Sequence, residues 1–379
     1  EKTKANASSA DEADKLATSS REAVNNGYEA VAQLIAAMRD IQVTSTQIAS
    51  VVKLIDDIAF QTNLLAMNAA VEYAYLLDPA APEKTPEPEW EQLVGFARRF
   101  VEEDPRNALP EGERLRIWDA PLLGVAAADD LLFTRLKTPG VVGPLHRSPT
   151  EWLPGARSVI AWFLPYNRAV RRSYPKKSAL PSLAWVSGRR NGEVFNNVLR
   201  RAMLRFLEKH GGKGVAPSNE ACYQAIGMIP MWSERHAAFI AGLGSFGIHG
   251  ALITPLGCAG RIGSVITDLE FPPTPRAYRD IYEYCPYPSL GKCGACVPRC
   301  PARAIGAEFG ENWRDNTRCV IQGRDVVGDF FRDWGYHSCG HCLTWLPCAD
   351  RIPFSSSQTR KVGKPVPESF ESPPEPLFS

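Results

Sequence analysis

Ten cysteines occur in this chain, and eight of them lie between Cys285 and Cys348. Thiolate sulfur is the protein ligand of iron–sulfur clusters and of many zinc sites. Disulfide frameworks spread cysteines through short secreted chains, so a dense group at one end of a 379-residue chain indicates metal binding instead. The other two cysteines, Cys222 and Cys258, are expected to be buried free thiols.

The spacing inside this group favours iron–sulfur clusters. The stretch from Cys293 to Pro301 matches the last part of the run C-x2-C-x2-C-x3-C-P of bacterial ferredoxins. Leu290 stands where that run begins, and Cys285 is the nearest substitute. Because the fourth cysteine of each run serves the other cluster in two-cluster proteins, the sequence predicts two 4Fe–4S clusters. The predicted ligands are Cys285, Cys293, Cys296 and Cys348 for one cluster, and Cys300, Cys319, Cys339 and Cys342 for the other.

A pair of zinc sites is the alternative, since zinc also binds four thiolates. Structural zinc seldom uses three cysteines within eight residues followed by a proline, as in Cys293–Pro301. The sequence therefore favours iron.

The elements that must position these cysteines change along the chain. Residues 1–75 lack proline and repeat apolar or small residues at spacings of three and four, which predicts a coiled-coil helix, with an ordinary amphipathic helix as the alternative. The predicted fold is α+β. After the helix it has a proline-rich linker at 76–90, an α/β domain at 91–280, a cysteine-rich domain at 281–353 and a disordered tail at 354–379. Within the α/β domain we expect strands at 158–166 and 263–271 and a helix at 194–212.

Composition restricts the partners. Lysine and arginine number 43 against 42 acidic residues, so no strong positive field attracts nucleic acid. No apolar run is long enough to cross a membrane, and neither a secretory leader nor a twin-arginine signal opens the sequence. We therefore expect a cytoplasmic protein. The first residue is Glu1 rather than Met, which indicates a processed product or a fragment.

The stretch IDDIAFQTNLLAMNAAVEYA at 55–74 closely resembles the signalling tip of methyl-accepting chemotaxis proteins. That family forms an antiparallel coiled coil whose tip binds a histidine kinase and a coupling protein. The resemblance implies that Phe60, Asn68 and Glu72 lie on the trimer and kinase contact surface. It stops at Tyr73, and Pro79 follows, so the returning helix of the family is missing. One helix of the hairpin cannot bury its own apolar seam.

A second resemblance covers about residues 115–353. LPGARSVIAWFLPY at 153–166, AGLGSFGIHGALITPLGCAGRIGSVITDLEF at 241–271 and the two cysteine sets resemble the epoxyqueuosine reductase and reductive dehalogenase group of corrinoid iron–sulfur proteins. The resemblance implies a nitroreductase-like α/β domain that holds base-off cobalamin, followed by a ferredoxin-like domain that delivers electrons.

Site residues follow from this resemblance. The glycines Gly242, Gly244, Gly247 and Gly250 would let the backbone approach a flat cofactor, with plain tight turns as the alternative. Met228 stands where epoxyqueuosine reductases carry an aspartate proton donor, six residues before Glu234. Reductive dehalogenases use a tyrosine donor with a basic partner; Tyr223 is the candidate donor, and Arg261 is the candidate partner or a cofactor contact. A structural tyrosine is the alternative for Tyr223. His236 and His249 are further candidates to line the site, or else core or surface residues.

The sequence therefore predicts a reductase that passes electrons through two clusters to a corrinoid for removal of oxygen or halogen from a small-molecule substrate. A low-potential protein of the ferredoxin or flavodoxin type would supply the electrons. An electron carrier without a corrinoid, a redox sensor linked to a chemotaxis helix that self-associates or contacts the kinase, and an artificial fusion are the alternatives.

Overall fold

The computed structural model describes residues 88–110, 115–178, 180–226, 229–332 and 338–353. Several predictions lie outside these residues: the helix at 1–75 with Phe60, Asn68 and Glu72, most of the linker, Met228 and the tail at 354–379.

The strands are β1 Leu122–Ala127, β2 Ser158–Pro165, β3 Gly214–Val215, β4 Ala225–Ile226, β5 Ile229–Pro230, β6 Ser245–Phe246, β7 Leu252–Ile253 and β8 Gly260–Thr267. The α-helices are α1 Trp90–Glu103, α2 Leu131–Arg135, α3 Pro149–Trp152, α4 Arg168–Ser173, α5 Leu183–Lys209, α6 Glu234–Ile240, α7 Pro286–Leu290, α8 Cys296–Arg299, α9 Asn316–Ile321 and α10 Gly328–Phe330. Short 3-10 helices cover Pro217–Asn219, Ala307–Asn312 and His341–Leu343, and a π-helix at Gln322–Val327 joins α9 to α10.

Four strands form the central sheet in the order β1–β2–β8–β3, and every neighbouring pair is antiparallel. Ser158 pairs with Thr267, and Pro165 pairs with Gly260 across the β2–β8 ladder. The predicted strand at 158–166 is confirmed. The one predicted at 263–271 lies instead at Gly260–Thr267, because Phe163 and Leu164 of β2 extend the pairing toward its start.

Both faces of β2 are buried, which explains its continuous apolar run. Ile160, Trp162 and Leu164 belong to a core that also contains apolar residues of α1 and α5. Val159, Ala161 and Phe163 belong to a second core with apolar residues of α2 and α6. The alternation of side chains along a strand sends successive residues into these two layers.

The long helix α5 connects the sheet to the site described below. It begins eleven residues before the predicted start, where the Ser182 side chain accepts a hydrogen bond from the Trp185 backbone at 3.2 Å. It ends as predicted at glycine: Gly211 has a φ of 83°, and the backbone of Gly212 donates to the Leu207 carbonyl. Gly192 lets α5 approach Trp118, since a Cβ there would lie 2.3 Å from the indole ring.

The mixture of helix and sheet agrees with the predicted α+β class. Among its described residues, the cysteine-rich segment contains short helices and one isolated bridge, between Ile305 and Arg314. None of the helices in the described ranges has the length and apolar character needed to cross a membrane.

Candidate functional site

The first predicted cysteine set surrounds one small cavity. Cys285 precedes α7, and Cys296 is the first residue of α8. Between them Cys293 and Gly294 both adopt left-handed backbone, with φ of 78° and 65°. These two residues turn the loop back toward the other cysteines. The cavity lining includes Cys285, Cys293, Cys296 and Cys348 together with Ile248, Ile253 and Leu346.

Two thiols of this set, Cys285 and Cys296, ionise less readily than a free thiol, whereas hydrogen bonds with Cys258 and His249 lower the pKa of Cys348 to about 5. Burial raises the pKa of Cys296, and the neighbouring thiols, Cys285 first among them, raise it further. Burial also raises the pKa of Cys285, with a further contribution from Cys348. Thiolates bind metals, and a cationic centre offsets the repulsion between them. The donor set therefore fits a four-thiolate metal centre.

The second predicted set lines a larger cavity of about 750 Å³. Cys300 follows α8, Cys319 lies in α9, and Cys342 lies in the 3-10 helix that follows Cys339. Burial raises the pKa of Cys342 to about 12, and the thiols of Cys339, Cys319 and Cys300 add to this rise against the opposing charge of Arg314. The same four residues that the sequence grouped together therefore interact electrostatically.

The spacing of the sulfurs bears on the metal. Within the described ranges, the group of three potential ligands whose atoms all lie within 4.8 Å is His249, Cys258 and Cys348. Neither predicted set brings three of its sulfurs that close. Zinc bonded to sulfur at about 2.3 Å would hold its thiolates about 3.8 Å apart. The preference for iron over zinc therefore rests on the cysteine pattern of the sequence.

The larger cavity has a positive lining. Six arginines and two glutamates line it, and six minus two gives a net charge of +4 for these side chains. The arginines are Arg189, Arg200, Arg235, Arg261, Arg314 and Arg324, and the glutamates are Glu193 and Glu234. Burial lowers the pKa of Arg235 to about 10, with Arg314 as the largest neighbouring contribution, so the group stays cationic at neutral pH.

Tyr223 lies on the wall of this cavity, between a 3-10 helix and β4. Its hydroxyl makes a long contact of 3.5 Å with the Trp232 carbonyl. Burial raises the pKa of the phenol, and the charge of Glu234 raises it further. A phenol in this environment keeps its proton at neutral pH, which is the state that a proton donor requires.

Arg261 belongs to β8 and lines the same cavity. Its Nε forms an ion pair with Glu193 of α5. The buried Arg200 contacts Glu193 at 3.3 Å and Glu234 at 2.9 Å. Burial alone would lower the pKa of Arg261, but the Glu193 carboxylate holds it above its usual range. These ion pairs join β8, α5 and α6 behind Tyr223.

The lining of this cavity also contains residues that the sequence did not predict there, among them Glu193, Arg200, Arg235 and Arg314. One signal was available. Glu193 and Arg200 are seven residues apart in a helix, so they share one face, on which Asn196 and Asn197 lie between them as a polar stripe beside the buried Phe195 and Leu199.

The four glycines chiefly contact the chain itself. A Cβ at Gly244 would lie 2.0 Å from the Ile253 carbonyl oxygen, and one at Gly247 would lie 2.6 Å from His249. Gly242 has a φ of 80° and packs against Thr274. Gly250 alone of the four lines the larger cavity. A cofactor contact at these glycines therefore stays a prediction, most direct at Gly250.

The remaining candidates divide between two environments. His249 lines both cavities, whereas the half-buried His236 lines neither, and desolvation lowers its pKa to about 3. Cys258 is buried as expected, with its sulfur 3.9 Å from that of Cys348. The expectation for Cys222 is wrong: its thiol is exposed, because it lies in the turn that precedes β4.

Residues 13–75 match the signalling domain of methyl-accepting chemotaxis proteins. The methyl-accepting chemotaxis protein McpB of Pseudomonas aeruginosa is 42% identical over 71 residues, which are 19% of this chain and 10% of that protein. The chain spans about a tenth of the length of the curated relatives it matches. The first resemblance is confirmed for this segment.

Solved structures agree with the second resemblance. An epoxyqueuosine reductase from Bacillus subtilis is 19% identical, with coverage of 70% of this chain and 66% of that one and a TM-score of 0.40. A reductive dehalogenase described for B12-dependent dehalogenation is 15% identical, with coverage of 65% and 32% and a TM-score of 0.41. Because both TM-scores lie below 0.5, the likeness carries no argument about chemistry. That argument depends on the residues themselves.

Proposed function

We propose that this chain is an iron–sulfur redox enzyme with two 4Fe–4S clusters and a corrinoid, and that it removes oxygen or halogen reductively from a small-molecule substrate. The observation that carries the proposal is the grouping of the cysteines. Each predicted set of four lines a cavity of its own, and the second set shares its cavity with Tyr223 and Arg261.

When bound, the clusters supply one-electron transfer, and the corrinoid supplies a cobalt centre for breaking the carbon–oxygen or carbon–halogen bond. The chain would hold the first cluster through Cys285, Cys293, Cys296 and Cys348, and the second through Cys300, Cys319, Cys339 and Cys342. A low-potential ferredoxin or flavodoxin is the proposed electron donor.

The larger cavity is the proposed corrinoid and substrate site. Its volume of about 750 Å³ falls within the usual range of pockets for drug-sized ligands, so the cavity would enclose the substrate and only part of the larger corrinoid. In this proposal Tyr223 donates the proton, and Arg261 keeps its charge through Glu193. The two histidines in the lining, His249 and His341, both use their ring nitrogens in contacts within the protein. This supports binding of cobalamin without a histidine as the lower ligand.

Anaerobic reconstitution with iron and sulfide tests the clusters. We expect about eight iron and eight sulfide atoms per chain. Zinc in place of iron, or four iron atoms with Cys285 unreacted toward a thiol reagent, would contradict the proposed pair of clusters.

Cobalamin uptake by the cluster-loaded chain tests the corrinoid. We expect retention through gel filtration and the visible spectrum of the base-off form. Ala302→Trp adds a large side chain to the cavity lining and should abolish uptake while the iron content stays the same. Ala307→Trp is the matched control, because Ala307 is exposed outside that lining. Cluster-loaded native chain that binds no cobalamin would refute the corrinoid assignment.

The second candidate is an electron-transfer or redox-sensing module linked to a chemotaxis helix. The match of residues 13–75 to a signalling domain favours it. In this candidate the N-terminal segment self-associates or contacts the chemotaxis kinase, and the clusters report the redox state. A full chain that holds clusters, binds no cobalamin and changes the activity of a chemotaxis kinase with cluster oxidation would support it over the enzyme.

A further inference from the structure

His249 lies between the two cysteine sets, since it lines both cavities. Its Nε2 is 3.6 Å from the sulfur of Cys348, and Cys258 lies close to both. Spacings this short would also suit a single metal ion bound by the three side chains. Nε2 of His249 can either bind such a metal ion or donate a hydrogen bond to the Cys348 sulfur, and the choice depends on which ring nitrogen carries the proton.

The backbone of Ala251 fixes that proton. Its N–H donates to Nδ1 of His249 at 3.1 Å. A ring nitrogen that accepts a hydrogen bond carries no proton, so the neutral ring carries its proton on Nε2. A metal-bound histidine has the opposite arrangement, because its second nitrogen donates to an acceptor. His249 is therefore a donor to the Cys348 sulfur, which belongs to the first set.

Arg314 makes the equivalent contact in the second set. Its Nη2 donates to the sulfur of Cys319 at 3.0 Å, and its Nη1 donates to the backbone carbonyl of His249 at 2.9 Å. Gly250 leaves room for this guanidinium, because a Cβ there would lie 2.7 Å from Nη1. One residue pair thus connects a sulfur of each set.

We propose that Arg314 and His249 form a hydrogen-bonded bridge between the two cluster sites and raise the reduction potential of both clusters. This inference rests on the proposed function, because it requires the clusters. A reduced cluster carries one more negative charge than an oxidised one. Donors to its thiolate sulfurs stabilise that extra charge, so they make reduction easier. Both residues are positioning residues, since they act on the clusters through cysteines.

The test is a redox titration of the reconstituted full chain followed by electron paramagnetic resonance. His249→Phe removes the donor to Cys348 and should lower the potential of the first cluster alone. Arg314→Leu removes the donor to Cys319, so the second potential should fall by about tenfold in the one-electron equilibrium, or about 59 mV. The potential of the first cluster should also fall, but by less, because Arg314 no longer holds the backbone of His249 in place beside Cys348. Arg324→Leu is the matched control: it removes a charge from the same cavity lining without a bond to sulfur.

Two full clusters with unchanged potentials in both variants would overturn the bridge. A native chain that binds no clusters would instead refute the proposed function, and the bridge with it. If Arg314→Leu loses the second cluster, its potential has no value to compare, and the bridge is tested in the native chain instead. Exchangeable protons coupled to both reduced clusters, compared between H2O and D2O by electron–nuclear double resonance, support the bridge, and their absence from either cluster contradicts it.

Discussion

The two cysteine sites lie in neighbouring stretches of the chain but in opposite surroundings. Apolar side chains of Ile248, Ile253 and Leu346 line the first site. The second opens onto a cavity of about 750 Å³ with a positive lining. The first cavity is small and mostly apolar, so it could pass electrons but does not have the space to bind a substrate. The second site adjoins a cavity large enough to bind one. In our proposal this difference makes the first site an electron relay and places the chemistry beside the second.

Removing one site at a time is the most direct test of this difference between the two sites. Cys296→Ser removes a buried proposed ligand from the first set, and Cys342→Ser removes a half-buried one from the second. Because each set holds its own cluster in our proposal, each variant should lose one cluster, and iron should fall from about eight to about four atoms per chain. Iron analysis after anaerobic reconstitution measures this.

Cys222→Ser is the control for these variants, since that thiol is exposed and outside both sets. It should keep all the iron. Loss of all iron from either ligand variant would mean that the two sites are not independent.

The sequence predicted the two cysteine groups better than it predicted their surroundings. Each cavity is lined by four of the cysteines that the sequence grouped, and their role as cluster ligands stays a prediction. The sequence did not reveal that Glu193, Arg200 and Arg314 would join the second cavity, since they come from α5 and from a loop 114 residues beyond Arg200. Such contacts arise from tertiary packing, and local patterns do not encode them. The burial of β2 was predictable, whereas the antiparallel order of the sheet was not.

The second site differs from the first in its ion pairs, and Glu193 takes part in two of them. It pairs with Arg261 and Arg200, and these cations hold its pKa below the usual 4.5 although burial opposes them. Glu193→Gln removes the ion-pair partner of Arg261 and one of the two carboxylates that Arg200 contacts. Loss of an exposed pair costs at most about 1 kcal/mol, and removal of one partner from a fully buried pair costs about 3–5 kcal/mol, so removing this partly buried carboxylate should cost about 2 kcal/mol. Urea unfolding of the full chain measures the loss.

The same residue predicts a pH dependence. A carboxyl whose pKa is lower in the folded chain contributes stability above its unfolded value of 4.5, and this contribution disappears as the pH falls through the folded pKa. Glu193→Gln should lack this acid-dependent part. Glu270→Gln is the matched control, because the ion pair of Glu270 with Arg157 is exposed. A loss no larger than that of the control would show that the charges around the second cavity are not coupled.

The smallest expected change in stability is at Tyr223. Its hydroxyl makes one contact, the 3.5 Å approach to the Trp232 carbonyl, and the aromatic ring supplies the packing. Tyr223→Phe keeps the ring, so the free energy of unfolding should change by less than about 1 kcal/mol. Both clusters should remain, because neither set includes a residue bonded to this hydroxyl. Urea unfolding and iron analysis measure the two quantities together.

A structural tyrosine would lose stability on this substitution, whereas a proton donor would lose turnover and keep its fold. A loss of more than about 2 kcal/mol, or of the second cluster, would therefore remove Tyr223 from the chemistry and make it part of the scaffold.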